Sequence, residues 1–404
     1  MRGEGPESRA RLISGRVPRD LEPNDLSRAV AERRRAGADL LDLTETNPTR
    51  VGLAALDPAS LSALAPPELS RYDPNPRGLP AAREAVASYL AARAPAGPAA
   101  FGPDSILLTA GTSEGYAHLF RLLCDPGDRV LAPRPSYPLL AGLAAAEGLE
   151  LSTYRLAHDG RRWTLDLDSV EAGLARGARA VIVVEPNNPT GSCLAAEERA
   201  ALEALCGRRG AAIVSDEVFG DFPWPPREAP LAGFGPAAPV PTFVLGGISK
   251  LCGLPQLKLG WIAVAGPERE RREALQGLEW IADLFLSVGS AAQLALPRLL
   301  EGRHGFLRRA AARLAGNLEA LRATAARSGA LEILAGEGGW SAVIRATGER
   351  GREPGGLPAL ARGVYLHPGH FYDLPDDRHA VVSLLPEPGV FQEALDRIAA
   401  MLAE

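Results

Sequence analysis

Short and mostly apolar runs alternate with segments of helical periodicity through the middle of the chain. The runs are four to six residues long and cover residues 106–109, 129–132, 179–184, 211–215, 242–245 and 259–264. A strand that is apolar on both sides must be covered on both faces, and alternating helices provide this cover for a largely parallel sheet. The pattern therefore predicts an α/β fold in which a mostly parallel sheet is sandwiched between helices.

The last quarter of the chain has a different pattern. A long Arg/Ala/Leu segment at 305–327 predicts one helix, 340–345 predicts a strand, and 389–403 predicts a closing helix. A chain of 404 residues exceeds what one hydrophobic core usually organises, so we expect a second, smaller α+β domain. We assign 1–54 to an N-terminal arm and part of the small domain, 55–298 to the large domain, and 299–404 to the small domain.

Charge and cysteine usage exclude several classes of protein. The net charge is −5, so we expect no nucleic-acid partner, because such binders need a basic surface. No apolar stretch is long enough for a membrane span, and the polar, arginine-rich start is not a signal peptide. The cysteines show no paired spacing, which predicts no metal site and a reducing, cytoplasmic setting. They are Cys124, Cys193, Cys206 and Cys252.

Lysine is almost absent from the chain. Of the 44 basic residues only Lys250 and Lys258 are lysines, which leaves 42 arginines. A general drift towards arginine replaces lysines that only supply positive charge. It cannot replace an amine that must lose its proton and react, because guanidinium stays protonated. The count therefore singles out both lysines, without deciding which one reacts.

Polar residues follow several of the predicted strands. Gly111, Thr112 and Ser113 stand where a strand turns into a helix with an apolar stripe, a place where free backbone N–H groups can cradle a phosphate. Tyr137 offers a flat ring for stacking, and Asn188 lies in a turn-rich stretch. Each of these residues, taken alone, is also consistent with a structural role such as a helix cap, a core ring or a turn.

Two further strand ends carry charged groups. Asp216 follows an apolar strand, where a carboxylate is costly to hold unless it has a cationic partner; a helix cap is the alternative. Lys250 ends the Gly-Gly-Ile-Ser-Lys segment after the next strand, and Lys258 follows eight residues later. Desolvation would lower the pKa of a reactive lysine, whereas a fixed lysine cation would suit a phosphate. Surface lysines are the structural alternative for both.

These motifs, in this order and spacing, resemble the class I/II aminotransferases, fold type I pyridoxal-phosphate enzymes that include aspartate aminotransferase. The resemblance covers roughly residues 40–400. The matching positions are Tyr72 with Gly78, 110–112, Ser136 with Tyr137, 188–191, 215–217, Ser249 with Lys250, and 258–260.

The resemblance implies an aminotransferase that moves an amino group between an amino acid and a 2-oxo acid. Lys250 would form the Schiff base with pyridoxal 5'-phosphate and act as the base of the 1,3-proton shift, and Asp216 would pair with the pyridine nitrogen. The family is homodimeric, and Tyr72 would reach the phosphate in the neighbouring subunit. The residues implied in cofactor binding are Tyr72, Gly111, Thr112, Ser113, Tyr137, Asn188, Asp216, Phe219, Ser249, Lys250 and Lys258.

Three positions depart from the family pattern. Phe219 stands where the family usually has a tyrosine that donates to the phenolate oxygen, and Gly247 replaces a common hydroxyl residue. Val381 stands where the family has the arginine that binds the substrate carboxylate. Arg345 or Arg50 would substitute for it, or the substrate is not a standard α-amino acid.

The region around the missing arginine sets the remaining candidates for substrate contact. The Arg50 loop adds two neighbours, and the segment LHPGHFYD adds a histidine that could equally cap a structured loop. The candidate substrate-binding residues are Thr46, Asn47, Arg50, Arg345 and His370.

The same motifs are compatible with functions other than transamination. A β-lyase, C–S lyase, decarboxylase or synthase-type elimination would share every cofactor residue. A non-catalytic regulator with this fold would carry a DNA-binding domain ahead of it, and fewer than about 40 residues precede the match. A dehydrogenase is disfavoured, because no predicted strand is followed by a G-x-G-x-x-G motif.

Overall fold

A computed structural model describes residues 13–54, 56–93, 100–227, 229–231, 233–347 and 353–404. The start of the predicted N-terminal arm, residues 1–12, lies outside these ranges. The helices of the described ranges are α1 Asp25–Arg35, α2 Pro58–Ala63, α3 Pro80–Arg93, α4 Thr112–Leu123, α5 Leu139–Ala146, α6 Leu167–Ala175, α7 Ala196–Arg209, α8 Ile248–Leu251, α9 Glu268–Asp283, α10 Ser290–Ser328, α11 Gly356–Ala361 and α12 Pro388–Ala403. None of them combines the length and the apolar character that crossing a bilayer requires.

The strands form one large and two smaller sheets. They are β1 Leu41–Asp42, β2 Ile106–Thr109, β3 Arg129–Arg134, β4 Glu150–His158, β5 Trp163–Leu165, β6 Ala178–Val184, β7 Ala212–Asp216, β8 Thr242–Gly247, β9 Gly260–Ala265, β10 Leu331–Leu334, β11 Ser341–Ala346, β12 Val364–Tyr365, β13 His367–Pro368 and β14 His379–Ser383.

The large sheet has the order β2-β9-β8-β7-β6-β3-β4-β5. The strands from β8 to β4 are parallel, whereas β9 is antiparallel to both of its neighbours and β5 is antiparallel to β4. The prediction of a mostly parallel sheet is therefore confirmed. The direction of β9 and the β4–β5 pair were not predicted from the apolar runs.

Both faces of this sheet are covered by helices. Neighbouring residues of β7 alternate between two separate cores: Ile213 packs into one and Val214 into the other. Ile182 and Val183 of β6 divide in the same way. This explains why the strands are apolar without alternation.

The smaller domain contains a four-stranded antiparallel sheet, β10-β11-β14-β13, and the parallel pair β1–β12. Ala342 and Val382 point from the four-stranded sheet into the core that α10 and α12 cover. Val343 and Val381, on the other face, belong to an apolar cluster that includes Trp163 of the large domain. The predicted α+β domain is thus confirmed, and one face of its sheet turns towards the large domain.

Helix α10 joins the two cores. It is 39 residues long and begins at Ser290, upstream of the helix predicted at 305–327. Its first part contributes Leu296 to the large-domain core, and its later part contributes Leu314 and Leu321 to the small-domain core. The boundary proposed between residues 298 and 299 lies inside this helix, so α10 belongs to both domains.

Candidate active site

The carboxyl ends of three adjacent parallel strands form the floor of the site. Asp216 is the last residue of β7 and pairs in register with Val184 of β6 and Leu245 of β8. Asn188 follows β6, and Lys250 lies in the short helix α8 directly after β8. The topology therefore brings these three predicted residues to one edge of the sheet, where α/β proteins bind their ligands.

Lys250 lies between two aromatic rings. Its Nζ is 4.8 Å from the ring centre of Trp340 and 5.5 Å from that of Phe219, and the two rings meet edge to face. Burial lowers the pKa of the Lys250 amine below its ordinary value, and the nearby Asp216 carboxylate opposes this shift. This environment favours a neutral amine, which is the nucleophilic form.

Asp216 is buried, with 9% of its surface exposed, and both carboxylate oxygens accept hydrogen bonds. The backbone N–H of Val218 donates to Oδ1 at 3.2 Å, and the Tyr116 hydroxyl donates to Oδ2 at 3.1 Å. Burial raises the pKa of Asp216 to about 6, whereas these two hydrogen bonds favour the charged form. A buried carboxylate of this kind is suited to a cationic ligand.

The N-terminus of α4 forms a corner with the features of an anion site, called here the anion corner. Gly111 caps the helix with φ 114°, a conformation that side-chain-bearing residues rarely adopt. A Cβ added to Gly111 would lie 3.8 Å from Lys258 Nζ, so the lysine amine stands beside the free N–H groups of Thr112 and Ser113. The corner thus combines a helix N-terminus with a lysine amine.

Asn188 differs from the asparagine that precedes it. The Asn187 side chain makes hydrogen bonds to Ser136, Pro135 and Thr190. The Oδ1 of Asn188 is buried and has no hydrogen-bond partner among the described residues. Buried polar atoms are normally paired, so an unpaired one at a strand edge indicates a place for a ligand.

Two predicted tyrosines are exposed in the single chain. Tyr137 is 48% exposed, and the backbone N–H of the preceding Ser136 donates to the carbonyl of Tyr372 at 3.1 Å. Tyr72 is 79% exposed and lines a separate cavity of about 170 Å³ together with Leu286. The structure therefore does not bring Tyr72 to Lys250 within one chain. Ser249, next to Lys250, is half-buried.

Among the described residues, the two candidate positions on the small-domain side are not free to bind an anion. Val381 is 2% exposed and packs against Trp163, Val343 and Tyr372. Arg345 is paired with Glu332 of the neighbouring strand β10.

The Arg50 loop is tied to strand β14 of the small domain. The Arg50 side chain is 75% exposed, and its Nη1 is 3.5 Å from Glu45. The hydroxyl of Ser383, two residues after Val381, donates to the Glu45 carbonyl at 2.7 Å. Thr46 is exposed, whereas the Asn47 side chain accepts hydrogen bonds from Thr49 of its own loop. The remaining candidate, His370, is exposed in a short turn.

Two residues of the site were missed by sequence reasoning. Tyr116 is part of the apolar stripe of α4, and Trp340 was seen only as the start of a strand. The spacing of Thr112 and Tyr116, four residues apart in one helix, was the available signal for the first. No sequence pattern indicated that Trp340 would meet Lys250.

The whole architecture is that of aminotransferases of known structure. The chain superposes on an alanine aminotransferase from Pyrococcus furiosus with a TM-score of 0.82 at 22% identity, covering 94% of this chain and 96% of that one. It superposes on a double mutant of the Thermus thermophilus aspartate aminotransferase with a TM-score of 0.79 at 22% identity, covering 97% and 100%. The fold type I prediction is confirmed.

Residues 38–366 match the family model for aminotransferases of class I and II, and the chain belongs to this family. Nicotianamine aminotransferase 1 of Oryza sativa subsp. japonica is 31% identical over 229 residues, which are 55% of this chain and 45% of that protein. The S-alkyl-thiohydroximate lyase SUR1 of Arabidopsis thaliana is 34% identical over 237 residues, 57% and 49% respectively. The chain thus matches about half the length of these relatives. Members of the family use pyridoxal phosphate.

Proposed function

We propose that the chain is a pyridoxal-phosphate-dependent aminotransferase that moves an amino group between an amino acid and a 2-oxo acid. The observation that carries the proposal is the convergence of a desolvated Lys250 amine and the buried Asp216 carboxylate at one strand edge. The glutamate-pyruvate aminotransferase AlaA of Escherichia coli K12, 26% identical over 66% of this chain and 64% of its own length, supports it.

The residues fit each polar group of pyridoxal phosphate. The N-terminus of α4 and Lys258 would hold the phosphate, and Asp216 would pair with the ring nitrogen. The unpaired Oδ1 of Asn188 marks a side chain free to turn its amide towards the phenolate oxygen. Tyr137, exposed at the same edge, would stack on the ring. When bound, the group withdraws electrons from the substrate Cα.

Proton transfer in this proposal belongs to Lys250. Because burial favours its neutral form, Nζ would accept a proton from the substrate Cα and return it to a different atom of the reacting system. Asp216 would hold the ring nitrogen of the bound group in its protonated form. Phe219 adds an apolar wall next to Lys250 but no hydrogen bond.

We propose Arg50, rather than Arg345, as the arginine that binds the substrate carboxylate in place of Val381. The Arg50 side chain is exposed, and its ion pair with Glu45 is long, at 3.5 Å. Arg345, in contrast, forms a close ion pair with Glu332. The loop of Arg50 is also tied to β14 by the Ser383–Glu45 hydrogen bond. Thr46, Asn47 and His370 remain proposed lining residues.

We also propose a homodimer with shared sites. Tyr72 is exposed and does not reach the site of its own chain. It shares a cavity with Leu286, which ends a run of exposed apolar residues that also includes Leu284 and Phe285. A contiguous apolar surface of this kind is typical of a protein interface. Sedimentation analysis should give twice the chain mass, and Tyr72→Ala should weaken cofactor binding.

A reducing setting is consistent with the thiols. All four cysteines are unpaired. Burial raises the pKa of Cys124 to about 11 and those of Cys206 and Cys252 to about 12. Such thiols carry little thiolate at neutral pH and therefore exchange with disulfides slowly. The cytoplasmic location stays a prediction.

A lyase reaction is the second candidate function. The similarity to the Arabidopsis lyase and the valine at position 381 both favour it. The two functions differ in their need for an acceptor. A lyase releases products from a single amino substrate, whereas an aminotransferase stops after half a reaction unless a 2-oxo acid is supplied. Product analysis with and without the oxo acid separates them.

A spectral screen tests the proposed function. Purified protein loaded with pyridoxal phosphate should be yellow, and a competent amino donor should convert the absorbance to that of the pyridoxamine form. Borohydride reduction should fix the cofactor on the peptide that contains Lys250. Because the chain has only two lysines, Lys258→Arg leaves a single ε-amine and makes the assignment unambiguous. Protein that neither binds the cofactor nor responds to any amino acid would overturn the proposal.

A further inference from the structure

The buried hydroxyl of Tyr116 has no role in the reaction proposed above. The Tyr116 hydroxyl lies 3.1 Å from Asp216 Oδ2, and the two residues come from α4 and β7, 100 positions apart in the chain. Tyr116 is 3% exposed. The other oxygen, Oδ1, accepts from the N–H of Val218, two residues further along its own chain segment. Tyr116 thus makes the contact that ties the Asp216 carboxylate to a different element.

The same helix forms the anion corner. Thr112 is the first residue of α4, and Tyr116 follows four residues later, so both lie on the same face of the helix. Gly111, the residue before Thr112, lies beside Lys258, and Tyr116 reaches Asp216 one helical turn further along. A rigid helical turn therefore fixes the distance between the anion corner and the carboxylate.

We propose that Tyr116 is a positioning residue that holds the Asp216 carboxylate in one orientation and in its charged form, at a fixed distance from the phosphate-binding end of the site. The proposal rests on the proposed function, because it assigns Asp216 to the ring nitrogen of a bound pyridoxal phosphate. Tyr116 acts through Asp216 and touches neither substrate nor reacting atoms.

The charged and titratable groups around Asp216 act on its pKa in opposite directions. Tyr116 faces it from α4, Lys250 from α8, and Glu217 adjoins it in the chain. Glu217 disfavours the charged carboxylate, whereas Lys250 and the two hydrogen bonds favour it. Burial raises the pKa of the Tyr116 hydroxyl well above its ordinary range, so the hydroxyl stays protonated and donates. Its removal would therefore raise the pKa of Asp216.

The test compares Tyr116→Phe with Tyr154→Phe in the enzyme loaded with pyridoxal phosphate. Tyr154 is an equally buried tyrosine, 2% exposed, whose hydroxyl donates to the Ile182 carbonyl at 2.9 Å. Both variants lose one buried hydroxyl, so both should lose similar thermal stability. Only Tyr116→Phe should release the cofactor about tenfold faster on dialysis. It should also move the acidic limb of kcat upward by about one pH unit, with KM for the amino donor unchanged.

A second pair of variants separates positioning from general damage. In an Asp216→Asn background, Tyr116→Phe should change cofactor release less than about twofold, because its partner carboxylate is gone. Equal cofactor release and equal pH profiles for the two tyrosine variants would overturn the inference while leaving the proposed function intact. Wild-type protein that binds no cofactor would overturn both.

Discussion

The two walls of the site are built differently. On the large-domain wall, Asp216 and Lys250 stand at adjacent parallel strand ends. Burial favours the neutral Lys250 amine and leaves the Asp216 carboxylate in need of a cationic partner. On the small-domain wall, Val381 is packed into an apolar cluster and Arg345 is bound to Glu332. The wall proposed for the cofactor thus presents buried charged groups at strand ends, whereas the described residues of the wall proposed for the substrate are apolar or already paired.

The difference shows where each part of the function is encoded. A cofactor with constant chemistry needs constant partners at fixed strand ends. A substrate is selected by side chains on loops and on the second domain, which vary without disturbing the sheet. If this division holds, the largest loss of activity should follow from replacing Lys250 on the large-domain wall.

Lys250→Ala should lower kcat at least about 10³-fold, because the variant loses both the nucleophile and the proton carrier. The borohydride-fixed adduct should disappear as well. Lys258→Arg is the matched control, since it keeps a cation beside Gly111 and should retain the covalent cofactor. Steady-state kinetics and peptide mass analysis provide the measurements. An adduct that survives in Lys250→Ala would contradict the assignment.

Asp216→Asn should stabilise the cofactor-free protein at neutral pH. Burial raises the pKa of Asp216 from 3.8 to about 6, so the native state carries the cost of a buried charge once the pH exceeds that value. At 1.36 kcal/mol per pKa unit, the free energy of unfolding should rise by up to about 3 kcal/mol at pH 7.5, and by almost nothing near pH 3, where the carboxyl is mostly protonated in both states. Denaturant titrations at both pH values measure the gain.

The control for this gain is Asp159→Asn, at a surface carboxylate whose pKa is lowered by the backbone N–H groups of Arg162 and Arg161. It should show no gain at pH 7.5. An equal change in the free energy of unfolding for the two variants would contradict the prediction, because it would mean that the buried Asp216 charge does not destabilise the protein.

Arg50→Ala should raise KM for the amino donor about ten- to a hundredfold, because a charge-assisted hydrogen bond to the carboxylate is lost. Arg345→Ala, which removes an arginine already paired with Glu332, should change KM less than about twofold. Initial-rate kinetics with one donor measure both. The reverse ranking would move the clamp to β11, and no effect of either variant would indicate a substrate without a free carboxylate.

Phe219→Tyr should lower, by about one pH unit, the midpoint at which the absorbance of the Lys250-bound cofactor changes. The added hydroxyl would supply the donor that this chain lacks at the phenolate oxygen. Phe219→Leu adds no donor and should leave the midpoint unchanged. A midpoint that stays constant in Phe219→Tyr would show that position 219 does not face that oxygen.

Most strands of the large sheet could be predicted from the sequence, because burial on both faces requires apolar runs such as 179–184. The antiparallel direction of β9 could not be predicted, since an apolar run is the same in a parallel and in an antiparallel strand. The pair β4–β5 was missed because much of β4 is exposed, and a half-exposed strand lacks a continuous apolar run.

The strand-end residues could be located in advance because chain topology places them at one edge. Tyr116 and Trp340 could not, since their roles depend on contacts between elements that are far apart in sequence. The substrate wall was the least predictable part. Whether Arg50 or Arg345 is free to bind an anion depends on which acidic side chain each one meets, and no spacing rule encodes that.

Helix α10 has a consequence for how the molecule comes apart. Leu296 and Leu314 belong to different cores but to one continuous helix. Unfolding of either core would therefore disrupt the helix on which the other core depends. Cleavage between residues 298 and 299 would leave both fragments with an incomplete core. We therefore expect the two domains to unfold as one cooperative unit, with tryptophan fluorescence and circular dichroism reporting a single shared transition.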